Sequence, residues 1–168
     1  MHKKKPLLTS GFTLLELLVV LVLIGILFSF AALSINTRPD PTKQVAYQVQ
    51  QLLNLALEDA ILRGQIMGWT LSDQHSFSRY KNNQWLALSD DNLLRNYPLH
   101  AELEYTLEID GLPAETKKNT QPQVIFYPDA TVSNFELTIK LNNTLDEGYK
   151  IYNDLNEIKL TPLKQDSL

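Results

Sequence analysis

The apolar run from Leu17 to Leu33, interrupted by Gly25 and Ser29, limits what this chain can fold into more than any other stretch. With Phe12 to Leu15 ahead of it, the run reaches the roughly 20 residues a helix needs to cross a bilayer core. Glu16 fits badly there, because an unpartnered charge inside a membrane-length segment costs at least ~2.5 kcal/mol, and so it marks a specific partner. A leader carrying Lys3, Lys4 and Lys5 precedes the run and a polar body follows it. By the positive-inside rule those lysines hold the N-terminus in the cytoplasm and put the residues after about Asn36 on the far side. A secretory signal also has a basic start and an apolar core, and Ser29-Phe30-Ala31 supplies small residues at its −3 and −1 positions. Such a core is about 7 to 15 residues long, and Glu16 does not suit it. The chain has no cysteine, which rules out a lipid-modified cysteine anchor, disulfides and thiolate metal sites.

Lys3-Lys4-Lys5, the Gly11-Phe12 junction, Glu16 at the fifth position after it and the apolar run, in that fixed order, resemble the class III leader of type IV pilins and type II secretion pseudopilins. The resemblance implies cleavage after Gly11 by a prepilin peptidase and N-methylation of Phe12 by the same enzyme. It implies for Glu16 a contact with the N-terminal amine of a neighbouring subunit during assembly. A second block, Pro122 to Leu137, looks like the Phe-x-Pro-x-Gly-x-x-x-x-Phe region of the H-type minor pseudopilins and the related FimT pilins, with Ala130 where glycine is common. The implied fold is α+β and pilin-like, a long N-terminal helix packed on a C-terminal antiparallel β-sheet domain. The chain then divides into a leader (1–11), a transmembrane helix (12–36), a break and an amphipathic helix (37–64), and a periplasmic β-rich domain (65–168).

The residues alone support much of that division. Asp40 followed by Pro41 reads as an N-cap with proline at the first helical position, after a break at 37–41. From Thr42 to Arg63, Val45, Val49, Leu52, Leu53, Ala56, Leu57, Ala60 and Ile61 recur at helical spacing, and Gly64 is placed to stop the helix. Beyond it the period becomes alternating. Gln65–Leu71 and Ser76–Tyr80 read as strands, and Asn82-Asn83 suits a tight hairpin turn before Trp85. A long strand is expected from Leu99 to Ile109, ended by Gly111 and Pro113. Shorter ones follow at Val124–Tyr127, Phe135–Leu141, Tyr149–Tyr152 and Glu157–Leu160, and Lys164–Leu168 reads as a disordered end.

No catalytic constellation is visible: there is no P-loop, nucleophile elbow or His-Glu-x-x-His. His2, His75 and His100 are scattered, and His100 falls on the polar face of its expected strand. Asp90-Asp91 and Asp146-Glu147 lack ligand spacing, and Trp69 and Trp85 read as core. Catalytic, cofactor and metal sites are therefore all expected to be absent, and no cofactor is expected. Removing a leader that holds three of the 15 basic residues leaves 12 against 19 acidic ones, a formal charge of −7, which disfavours nucleic acid as a partner. The resemblance implies a structural function: a minor pseudopilin of the type II secretion system, set in the inner membrane as a single pass with its C-terminal domain in the periplasm, and built into the tip region of the pseudopilus. Its expected partners are other minor and major pseudopilins, the prepilin peptidase/methyltransferase and the inner membrane. The alternative is a FimT-like minor pilin that captures DNA, which needs a basic tail; residues 158–168 carry Lys159, Lys164 and no arginine.

Overall fold

The structure, a computed structural model, describes residues 14–34, 40–115, 121–142 and 148–163. It divides into two units, Met1–Pro39 and Asp40–Leu168. The first contains α1 (Leu14–Ser34, 21 residues), about 31 Å of helix at 1.5 Å per residue. From Leu14 to Ile26 its side chains are exposed on every face. Among the described residues no helix is long and apolar enough to cross a membrane, and the span expected at 12–36 extends past those whose side chains are described. The break expected at 37–41 lies mostly outside the described residues, as do the loop centre at 116–120 and the tail from Lys164.

The second unit starts where Asp40 accepts the Thr42 amide at 2.9 Å and Pro41 takes the first helical position, satisfying a donor that would otherwise be orphaned. Helix α2 (Pro41–Arg63) buries Val45, Ala46, Val49, Leu53, Ala56 and Ala60 along one face. Its alanines let the backbone approach the sheets closely. It ends on Gly64 at φ 63°, with the Gln65 amide donating to the Ala60 carbonyl at 3.1 Å, a glycine-requiring left-handed cap. Asp59, one turn earlier, pairs with Arg63 and with Arg79 at 3.1 Å, tying the helix end to the strands.

Ten strands follow: β1 (Met67–Leu71), β2 (Gln74–Lys81), β3 (Gln84–Ala87), β4 (Tyr97–Pro98), β5 (Leu103–Ile109), β6 (Leu112–Pro113), β7 (Val124–Phe126), β8 (Phe135–Leu141), β9 (Gly148–Asp154) and β10 (Glu157–Pro162). They form the antiparallel β-sheet domain expected, divided into two sheets of five strands. One runs β3-β2-β1-β7 with β4 beside β2, and the other runs β10-β9-β8-β5-β6. The chain passes between the sheets three times, after β4, after β6 and again at the corner of residues 127–132, where it leaves β7 in the first sheet to enter the second as β8. Trp69, Phe77, Phe126, Phe135, Leu137, Ile139 and Ile151 fill the core with Leu53 of α2. Trp85 is only half-buried, lying over Gly68, where a Cβ would come within 2.9 Å of the indole and 2.5 Å of Pro122.

Most strand limits fall within two residues of the expectation, and the larger departures lie at the two ends of β5. The strand placed at Leu99–Ile109 begins at Leu103, because Tyr97 and Pro98 pair with His75 and Gln74 on β2 and the Leu103 amide closes a turn on the His100 carbonyl at 3.0 Å. After Ile109 the chain does not leave the sheet. Asp110 and Gly111, at φ 51° and 76°, fold it back so that Pro113 pairs with Glu108 as edge strand β6, a position where proline's missing N–H is tolerated.

Candidate assembly site

Glu16 is the acidic residue of the first turn of α1, where a carboxylate complements the helix dipole. It stands among Leu14, Leu15, Leu17 and Leu18, which are 51% to 88% exposed. Gly11 and Phe12 lie outside the described residues, so the structure gives no geometry for the processing junction. This unit offers a helical rod with an apolar surface and one carboxylate near its start.

The second unit carries a groove of about 470 Å³ between α2 and the β4–β5 region. Val45, Val49, Leu52 and Leu55 form one wall, Leu93, Tyr97 and Tyr105 the other, and His75 and His100 also line it. Leu93 is held in place by Asp91, whose carboxylate accepts the amides of Leu93 and Leu94 at 2.8 and 2.9 Å; those bonds hold its carboxyl below the usual range. His75 is 4% exposed, stacked on Trp69 at 5.7 Å and 16° and met edge-on by Tyr105 at 5.7 Å. Burial, with His100 nearby, pushes its pKa down to about 4, so at neutral pH it is uncharged. Its Nδ1 has no hydrogen-bond partner among the described residues. The sequence reading missed this core role: alternation along Gln74–Lys81 would have put His75 and Phe77 on the same inward face. It also separated His75 from His100, which the fold brings to one groove. Among the described residues no group of three His, Asp or Glu side chains is arranged to hold a metal.

At the corner between the sheets, Ala130 occupies φ 68°. The turn is closed by Tyr127 N–H to the Thr131 carbonyl at 2.8 Å and Thr131 N–H to Asp129 Oδ1 at 3.0 Å. Asn156 Oδ1 accepts the Val132 amide at 3.2 Å and Asn153 Nδ2 donates to the Val132 carbonyl at 2.9 Å. These bonds brace the corner against the β9–β10 hairpin, whose tip is Leu155.

Residues 45–153 match the family described as Type II transport protein GspH. The chain belongs to the GspH family. Residues 9–32 also match the prokaryotic N-terminal methylation motif, which implies processing by a prepilin peptidase. Two curated relatives are named Type II secretion system protein H. The one from Pseudomonas aeruginosa is 31% identical over 78% of this chain and 83% of its own length. The one from Aeromonas hydrophila is 29% identical over 77% and 80%. Among solved structures, the minor pseudopilin EpsH from the type 2 secretion system of Vibrio cholerae aligns at TM-score 0.65 and 21% identity, covering 76% of this chain and all of that one. The solution structure of E. coli GspH aligns at 0.60 and 19%, covering 79% and 99%; both show a common fold. This GspH chain is thus a minor pseudopilin of type II secretion with a methylation leader, from a structural and non-enzymatic family. Its fold is the pilin-like α+β arrangement of an N-terminal helix on antiparallel sheets. Neither relative's name supports the DNA-capturing alternative.

Proposed function

We propose that this chain is an inner-membrane subunit built into the tip region of a periplasmic pseudopilus, cleaved after Gly11, N-methylated at Phe12 and registered against its neighbour through Glu16. The observation that carries the reading is the joining, in one chain, of the methylation motif at 9–32 to the GspH domain at 45–153. The leader region 1–11, the span 12–36, the helix-containing segment 37–64 and the periplasmic domain 65–168 then serve in turn as address, anchor, spacer and contact surface. In this reading, segment 12–36 crosses the inner membrane once, with the GspH domain on the periplasmic side. The amine freed at Phe12 of an adjacent subunit offers Glu16 a cation in a medium where such a pair is little screened. Sibling pseudopilins and the prepilin peptidase/methyltransferase are the partners; nucleic acid is not one.

Intact-mass measurement of the membrane-extracted protein tests the processing. The expected species starts at Phe12 and carries one added methyl group. A chain that starts near Ala32, or that retains Met1, overturns the reading.

A further inference from the structure

Six residues other than glycine stand at positive φ among the described residues. Asn82, Asn83, Asp110 and Asn156 are of the types that enter the left-handed region at little cost. Ala130, at φ 68°, and Leu155, at φ 52°, are not, and both lie at the same place in the fold. Asn156, next to Leu155, accepts the Val132 amide at 3.2 Å, and Asn153 Nδ2 donates to the carbonyls of Val132 and Ser133 at 2.9 and 3.4 Å. These bonds fasten the tip of the β9–β10 hairpin to the corner at residues 127–132. Leu155 is also 92% exposed, more than any other large apolar side chain among the described residues. Its position is unfavourable to the isolated domain in both conformation and hydration, and strain of this sort is retained where something outside the domain uses it.

The charges near this knob say what it fits. Asp154 and Glu157 flank it and share one cation, Lys159. Asp129, exposed in the adjoining corner, accepts the Thr131 amide at 3.0 Å, and that bond holds its carboxyl below the usual range. Three carboxylates against one ammonium leave the region of the tip acidic. A second copy of this chain would bring a body of formal charge −7 against it, and like charges brought together oppose association. The complementary surface is an apolar pocket with a basic rim, on a different chain. Because the hairpin is already braced against the corner, docking it orders little that was loose before.

We infer that the Leu155 hairpin and the adjoining corner dock on a sibling pseudopilin of different sequence, Leu155 entering an apolar pocket whose rim carries lysine or arginine toward Asp129, Asp154 and Glu157. One hairpin tip and one corner bury less than a stable interface needs, so the contact selects and orients a neighbour that other contacts already hold close. The inference rests on the assembly reading above and adds to it the surface used and the chemistry of its partner.

Photocrosslinking tests it in cells that express the full-length chain with its sibling pseudopilins. The photoreactive p-benzoylphenylalanine replaces Leu155 in one strain and Leu112, a 70% exposed leucine on another hairpin of the same sheet, in a control. Position 155 should give at least ten-fold more adduct with one sibling than position 112, and peptide mapping should place the adduct among apolar residues with lysine or arginine beside them. Asp154→Lys together with Glu157→Lys should lower the yield several-fold in a chain that stays protease-resistant. A yield equal to the control, or an adduct formed mainly with a second copy, a lipid or an exported protein, overturns the contact. Separately, Leu155→Asn should raise the urea midpoint of the chain yet lower recovery of that sibling from detergent extracts several-fold, while Leu155→Met keeps recovery at the parent level; unchanged recovery with Leu155→Asn overturns the contact too. A chain correctly processed after Gly11 that fails both assays sinks this contact and leaves the processing reading standing, whereas a chain not cut there sinks both.

Discussion

Ala130 is a residue in a conformation its side chain resists. A left-handed alanine costs about 1–2 kcal/mol, of which about 0.4–1 is returned by the stiffer unfolded chain. Ala130→Gly should therefore stabilise the domain by roughly 0.5–1 kcal/mol, read as a shift in the urea midpoint at unchanged slope. His75 makes the opposite kind of demand, since it must stay neutral to remain buried. Its folded pKa of about 4 lies below the ordinary 6.5, so the stability it supports is complete above pH 6.5 and is lost as pH falls toward 4. The loss is on the order of 3 kcal/mol at most. Urea midpoints at pH 7.5 and 4.5 should differ accordingly, and His75→Phe, which keeps an aromatic ring between Trp69 and Tyr105, should flatten the difference. Asp91 and Asp129, whose carboxyls are held low by backbone amides, lose their charge below that window.

Among the elements, α2 was the most legible in advance. Its apolar residues keep helical spacing over 23 residues and its ends carry Asp40, Pro41 and Gly64, signals that depend on near neighbours alone. The strands were legible one by one and the sheets were not. Alternation says which face of β8 is buried, whereas membership of a sheet rests on pairing between distant segments: the chain changes sheet after β4, β6 and β7, and the last of these corners, at residues 127–132, is held by bonds to Asn153 and Asn156 more than 20 positions away. The early start given to β5 has the same origin: Leu99 alternates correctly, but Tyr97 and Pro98 had already been claimed by β2. The N-cap gives a sharp test. Asp40→Ala removes the acceptor of the Thr42 amide and should cost about 1 kcal/mol, while Asp40→Asn or Ser should restore most of it.

On the scale of the whole molecule, the methylation motif at 9–32 was legible from local residue order alone, and the proposed junction between Gly11 and Phe12 rests on that order. The groove was not, because it is assembled from α2, β2, the loop before β4 and the start of β5. The proposed role of Glu16 predicts that Glu16→Ala and Glu16→Leu insert, are cleaved after Gly11 and keep a protease-resistant domain, yet crosslink poorly to sibling pseudopilins. Mutants that crosslink like the parent would remove Glu16 from the interface. With a formal charge of −7 after leader removal, the domain should give no salt-sensitive shift of duplex DNA at micromolar protein, where non-specific binders register.

The sheets also show how such subunits can come apart. The outer flank of β7 is taken up by the chain's own Ser133, whose amide donates to the Ile125 carbonyl at 2.9 Å and whose hydroxyl accepts the Ile125 amide at 2.8 Å. Gln50 of α2 likewise occupies the Ile158 carbonyl on β10 at 2.9 Å. Backbone fusion between neighbours would turn a filament into something close to a fibre, and fibres do not dissolve on demand. With the flank of β7 already engaged and that of β10 partly so, backbone pairing between crowded copies is disfavoured there, and subunits that meet through side chains can be dismantled and their parts used again.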